Sequence, residues 1–241
     1  MKLLGTANTK TMKGEKLGYH TYIMHLAPST LSGYQVCPSA SAGCSFACLN
    51  LSGMGRFSNV QAARIAKTKW FFEDRAAFMA QLVKEIEAAI RKSTKLGFTP
   101  AFRLNGTSDI RWEIYPVIRN GIQYRNVMEA FPTTQFYDYT KIANRRDIPA
   151  NYHLTFSRSE VNEVEALSVI SMGTNVAVVF DTLPDTWHGW KVIDGTETDL
   201  RFLDESRVVV GLVANGKAKR DASGFVVSGA VSDLVSLTRA A

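Results

Sequence analysis

The chain has 241 residues, 46% of them hydrophobic and 10% aromatic, which is enough apolar mass for a full core and excludes an intrinsically disordered protein. Its 28 Lys and Arg against 22 Asp and Glu give a formal charge of +6, which favours anionic partners, although the two signs are mixed along the chain as on an ordinary surface. No run approaches the roughly 20 apolar residues that cross a bilayer, and the start MKLLGTANTKTMKGEK turns polar before a signal-peptide core could form; no membrane partner and a cytoplasmic location are expected.

No repeat, low-complexity tract or long linker divides the sequence, so a single domain over 1–241 is expected, with a polar N-terminal segment at 1–17. GYHTYIMHLAPS (18–29) has the β-branched and aromatic content of a strand that stops at Pro28. A loop over 29–58 follows and holds every cysteine. Ser58 is placed to cap a helix from Asn59, and Asp74 to begin a second segment in which Phe78, Leu82, Ile86 and Ile90 recur every four residues. Next come a strand TPAFRLNG (99–106), a helix over 110–131 interrupted near Asn120-Gly121, and a strand TQFYDYT (134–140). A strand YHLTFS (152–157), a helix over 159–172 ended by Gly173 and a strand NVAVVFD (175–181) continue the alternation. After a section rich in Thr, Asp and Trp, RVVVGLVAN (207–215) gives the last of six expected strands.

Strands as uniformly apolar as VAVVF and VVVGLV are covered on both faces, the mark of a parallel sheet with crossover helices. Periodicity leaves open whether the sheet is an open doubly wound one or a full or partial barrel. In either case chemistry gathers at the carboxyl ends of the strands. Those ends carry Asn105, Ser108 and Asp109, then Lys141, Arg158 and Asp181, which we take as candidate ligand-binding residues. Asp109 suits an amino group or a metal, but Ser108 and Asp109 serve equally well as helix caps. Lys141 suits a phosphate or carboxylate, and Arg158 stands in Ser157-Arg158-Ser159-Glu160, which reads as a capping box.

The three cysteines, Cys37, Cys44 and Cys48, form a C-x6-C-x3-C pattern within CPSASAGCSFAC. Such grouping asks for a joint role, and a reducing compartment would keep the thiols ready for metal. A structural zinc site needs four ligands, so zinc is the alternative; three thiolates match a 4Fe-4S cluster with one open iron. Gly43 and the small residues around it would let the backbone wrap such a cluster, and His25 is the candidate fourth ligand. Trp187 and Trp190 flank His188, a pattern that ordinary packing explains as well as a pocket wall does. Walker-type loops, His-Glu-x-x-His patterns and nucleophile elbows are absent.

The segment from NTKTMKGEK to SGMGRF, with its LAP, SGY, CP, GC and ACLN blocks, resembles a family of bacteriophage proteins that share a three-cysteine loop. The architecture further resembles radical S-adenosylmethionine enzymes, which implies a six-unit (β/α) partial or full TIM-like barrel with a cluster loop after the first strand. That resemblance implies Cys37, Cys44 and Cys48 as cluster ligands and S-adenosylmethionine as a further cofactor. The expectation is therefore a phage iron-sulfur protein doing redox or radical chemistry on a small anionic or nucleotide-like ligand in the host cytoplasm. The alternative is a noncatalytic phage factor with a metal-stabilised loop that binds host protein or nucleic acid.

Overall fold

The structure, a computed structural model of the chain, describes residues 1–6 and 13–230. Residues 7–12 of the expected polar N-terminal segment lie outside the described residues. In chain order the elements are β1 (Leu4–Gly5), β2 (Tyr19–Met24), α1 (Ala42–Phe46), α2 (Ser58–Glu73), α3 (Arg75–Lys95), β3 (Thr99–Arg103), β4 (Val117–Arg119) and β5 (Ile122–Tyr124). There follow α4 (Val127–Ala130), β6 (Gln135–Thr140), β7 (Tyr152–Ser157), α5 (Glu163–Ser171), β8 (Val176–Phe180), β9 (Thr186–Trp187), β10 (Trp190–Asp194), β11 (Val209–Val213) and β12 (Val226–Val227). They fall into two compact units. Unit 1 comprises Met1–Pro38, Leu49–Asp138 and Arg145–His153; unit 2 comprises Ser39–Cys48, Tyr139–Asn144 and the described residues from Leu154 onward.

In unit 1, β2 and β3 pair in parallel, β3 pairs in parallel with the first residues of β6, and β1 closes the outer edge of β2 in the antiparallel sense. The Glu85 carboxylate holds β1 in place by accepting from the Leu3 and Leu4 N–H groups at 2.8–3.0 Å. Asp74 caps α3 as the sequence suggests, its side chain accepting from the Ala77 N–H at 3.1 Å. The four-residue repeat then buries Phe78, Leu82 and Ile86 on one face of that helix. Tyr22 fastens the sheet to α3, its ring stacked on Phe102 and its hydroxyl donating to the Ala89 carbonyl at 3.2 Å. At the centre of the core lies Phe71, fully buried, whose ring meets those of Phe72, Phe78 and Trp112 edge-on at 5.1–5.3 Å.

Unit 2 is built on β8. Its apolar run Val176, Val178 and Phe180 packs with Ala166, Val169 and Ile170 of α5 and with Trp187, which explains the uninterrupted hydrophobic stretch in the sequence. One side of β8 pairs in parallel with β11 along its whole length. The other side is shared: β7 pairs with Val176 and Ala177, and β12 with Val179 and Phe180. β10 adds in parallel to β11, and β9 folds back on β10 through the turn His188-Gly189, whose φ angles are +50° and +82°.

This architecture overturns the six-unit barrel. A barrel needs strands alternating with helices and a ladder that returns to its first strand. The ladder in unit 1 starts at the antiparallel β1 and the one in unit 2 ends at the antiparallel β9, and neither closes. Among the described residues only α2, α3 and α5 have nine residues or more, and α2 leads straight into α3 with no strand between them. The fold is a mixed α/β arrangement with mostly parallel strands. The helix expected over 110–131 is also corrected. That stretch holds a 3-10 turn at Trp112–Ile114, the β4–β5 hairpin and the four-residue α4. Pro116 cannot sit within a helix interior, and Asn120-Gly121, with φ of +52° and +77°, makes the two-residue hairpin turn for which that dipeptide is suited.

Replacing Phe71 with Ala should cost about 3–5 kcal/mol, because a fully buried ring with four aromatic neighbours leaves a cavity the core cannot refill. Urea unfolding followed by tryptophan fluorescence measures the loss directly.

Candidate functional site

The carboxyl end of β3 in unit 1 is built around Asn105. Its Oδ1 accepts from the Ser108 hydroxyl at 2.8 Å, the Ile110 N–H at 3.0 Å and the Trp112 indole N–H at 3.0 Å. Its Nδ2 donates to the Ile110 carbonyl at 2.9 Å. One buried amide therefore folds residues 105–112 into a compact loop. The loop lies against the segment that follows β2: the Thr107 hydroxyl donates to the Leu26 carbonyl at 2.6 Å and the Asp109 N–H to the Val36 carbonyl at 2.8 Å. Gly106 permits this contact, because a Cβ there would stand 2.7 Å from the Met24 carbonyl oxygen. Cys37 belongs to the same rim, with its Sγ 3.7 Å from the Thr107 carbonyl.

Beneath the loop runs a network of charged groups withdrawn from water. Asp138 is 1% exposed; its Oδ1 accepts from the Asn105 N–H at 2.7 Å and its Oδ2 from the Tyr152 hydroxyl at 2.8 Å. Arg145 makes a bidentate ion pair with Glu113, both side chains 2% exposed, and its Nη1 lies 3.9 Å from Asp109 Oδ1. Burial pushes the Asp138 carboxyl up to about 7, against the opposing pull of Arg103, the Asn105 N–H, Tyr152 and Arg145. Burial also raises the Tyr152 hydroxyl, reinforced by the neighbouring Asp138. The sequence reading placed Asn105, Ser108 and Asp109 together at a strand end, and they are together, with Asn105 and Ser108 serving the loop itself. It missed Glu113, Asp138, Arg145 and Tyr152 as site residues. Only Asp138, an acid in the middle of the apolar strand QFYDYT, left a local signal.

In unit 2 the remaining candidates also stand at strand ends, each with a partner. The Lys141 ammonium donates to the Ser157 hydroxyl at 2.8 Å and lies 5.8 Å from the centre of the Phe225 ring. Arg158 pairs with Glu163 at 2.6 Å and donates to the Gly224 and Phe225 carbonyls, so it fastens chain rather than facing outward. Glu163 in turn meets His188 Nε2 at 3.1 Å. Asp181 accepts from the Thr182 and Gly229 N–H groups at 2.5 and 2.9 Å and from the Thr182 hydroxyl. The expected capping box is corrected: α5 begins after Asn162, and Glu160 instead accepts from the Ser41 hydroxyl at 2.8 Å and the Gly43 N–H at 2.7 Å. Burial would raise the Glu160 carboxyl, but those two donors hold it below its ordinary value. Gly43 has no room for a side chain, since a Cβ would fall 2.6 Å from that of Phe225.

The iron-sulfur reading does not survive. A cluster, or a zinc ion, needs several ligand side chains turned toward one point. Among the described residues no three His, Cys, Asp or Glu side chains form a group that could hold a metal ion. The three thiols, none in a disulfide, are each half-buried. Cys44 lies inside α1, where its N–H is taken by the Ser41 hydroxyl that caps the helix. Without a thiolate group or a barrel, the likeness to radical S-adenosylmethionine enzymes has no structural basis, nor has the metal-stabilised loop of the alternative reading. His20, stacked on Phe98 and bonded to Ser93, is a packing residue. No helix among the described residues is long and apolar enough to cross a membrane.

A family model described as Gene product 88 matches residues 1–229, in accord with the bacteriophage family that the three-cysteine segment resembles. No curated protein and no solved structure matches the chain.

The raised Asp138 fixes a pH dependence. Its native carboxyl, at about 7, holds a proton more tightly than the unfolded chain's, at about 4, so folding takes up a proton between those values. Its contribution to stability is full below about pH 4 and is lost as pH rises toward 7. Asp138→Asn, which stays neutral, should flatten that part of the profile when urea unfolding is compared from pH 4 to pH 8.

Proposed function

We propose, from the premise that the chain belongs to the Gene product 88 family, that this phage-type protein binds a small nucleotide-like ligand at the carboxyl end of β3 in unit 1. The ligand presents an amino group to the Asp109 carboxylate. Open parallel sheets take ligands beyond the carboxyl ends of their strands, where loops rather than strands supply the side chains. Thr107, Ser108 and Asp109 are half-buried there, with Cys37 beside them, so small polar groups border a reachable acceptor. The Asp109 side chain keeps 11% of its surface exposed while Arg145 behind it is 2% exposed.

The observation that carries this reading is the buried network under the loop. Removing Glu113, Arg145 and Asp138 from water costs free energy that well-packed apolar side chains would not, and buried groups whose proton affinity is displaced, as that of Asp138 is, concentrate at functional sites. The network gives the loop what a binding residue needs from its surroundings: a fixed main chain, through Asn105, and a countercharge on one side of Asp109, through Arg145. The ligand's amino group then meets the part of the Asp109 side chain that remains exposed. Adenine, cytosine and guanine offer such an amine, whereas uracil does not.

Thermal-shift measurements with the adenosine, cytidine, guanosine and uridine monophosphates test the proposal. At about 100 times its Kd a ligand stabilises by about 2.7 kcal/mol, a shift of several degrees, and at least one amine-bearing nucleotide should produce it while the uridine nucleotide does not. Asp109→Asn should abolish the shift. Equal shifts with all four, no shift with any, or an undiminished shift in the variant would each overturn the reading.

A further inference from the structure

The β4–β5 hairpin stands apart from the parallel strands as a two-stranded sheet of its own. Its inner strand is β4: Val117 is buried, and Arg119 reaches Glu87 of α3 at 3.0 Å. β5 is the outer strand, and among the described residues no strand pairs with its far edge. The register determines what that edge offers. Arg119 and Ile122 flank the two-residue turn and exchange the hydrogen bonds that close the hairpin, so the next pair, Ile118 and Gln123, does not. The main-chain N–H and C=O of Gln123 therefore point outward. Around them the side chains are unusually apolar for a surface, with Ile118 65% and Ile122 58% exposed. An open edge of this kind normally carries lysine, proline or a bulge that discourages pairing, and Ile-Gln-Tyr has none of these.

We propose that two copies of this chain associate through β5, strand edge to strand edge, about a twofold axis at Gln123. The sequence of the strand is complementary to itself in that register. Gln123 faces Gln123 and exchanges both main-chain hydrogen bonds with it. Ile122 of each copy faces Tyr124 of the other, an aliphatic-aromatic pair of the kind that stabilises antiparallel strands. No like charges are opposed: Arg125, the next residue, is already paired with Glu129 at 2.6 Å and comes opposite Gly121. A charged partner strand would gain nothing from this neutral edge, whereas a second copy matches it in both hydrogen bonds and side chains. A three-residue strand buries far less than the roughly 800 Å² per partner of a standard interface, so the dimer is weak and reversible.

Sedimentation velocity of the full chain over a wide concentration series reads this directly. The weight-average sedimentation coefficient should climb from the monomer value toward that of a dimer as concentration rises. Gln123→Pro, which removes the outward N–H, and Ile122→Lys, which sets a charge against Tyr124, should each weaken association by about tenfold or more. Far-UV circular dichroism confirms that each variant folds, and Ile122→Lys decides the matter if Gln123→Pro does not. A wild-type chain that stays monomeric throughout, or folded variants that associate as the wild type does, would overturn the proposal.

Discussion

A single buried carboxyl group organises unit 1. Asp138 accepts from the main chain where β3 ends and from the side chain of Tyr152 at the start of β7, so strand ends that are distant in sequence converge on two oxygens. A carboxyl so far from water is tolerable only with its hydrogen bonds made. The same requirement fixes the Asn105 main chain, and with it the Asn105 side chain that folds the loop. Moving Asp138 would thus disturb the acceptor at Asp109 through main-chain geometry alone.

Much of the polar surface at the strand ends is used to hold loops in shape. Arg158 and Asp181 each satisfy main-chain groups that a loop leaves unpaired, as does the Asn105 side chain. A side chain able to recognise a ligand is equally able to cap a turn, which is why residue type at a strand end identifies a rim and leaves the division of labour within it undetermined. Here the division is drawn by exposure. Asn105 is buried and bonded to Ile110 and Trp112, while the Asp109 side chain keeps 11% of its surface exposed.

The parts of the fold written in local pattern were legible. YHLTFS is β7 to the residue, the four-residue repeat after Asp74 is α3, and the uniformly apolar VAVVF is a strand covered on both faces. Closure was not legible, because a strand buried on both faces has the same composition in an open sheet as in a barrel. The stretch around Asn120-Gly121 misled because its apolar residues recur at intervals that a helix also gives, although Pro116 and the turn dipeptide both argued for a hairpin. The cysteines misled for a different reason. Clustering in sequence counts donors without saying where they point, and Cys44 went into the first turn of a capped helix. Of the buried network, Glu113, Arg145 and Tyr152 are too far apart in sequence for any motif to join them.

The division of one side of β8 between two strands bears on how the chain can be shortened. On that side β7 pairs with Val176 and Ala177, and among the described residues β12 alone pairs with Val179 and Phe180. A truncation before Val226 would leave one side of the second half of β8 without its partner strand, although β11 stays paired along the other side. A fragment of that kind invites aggregation, so the short stretch Val226–Val227 acts as a clasp whose importance far exceeds its length.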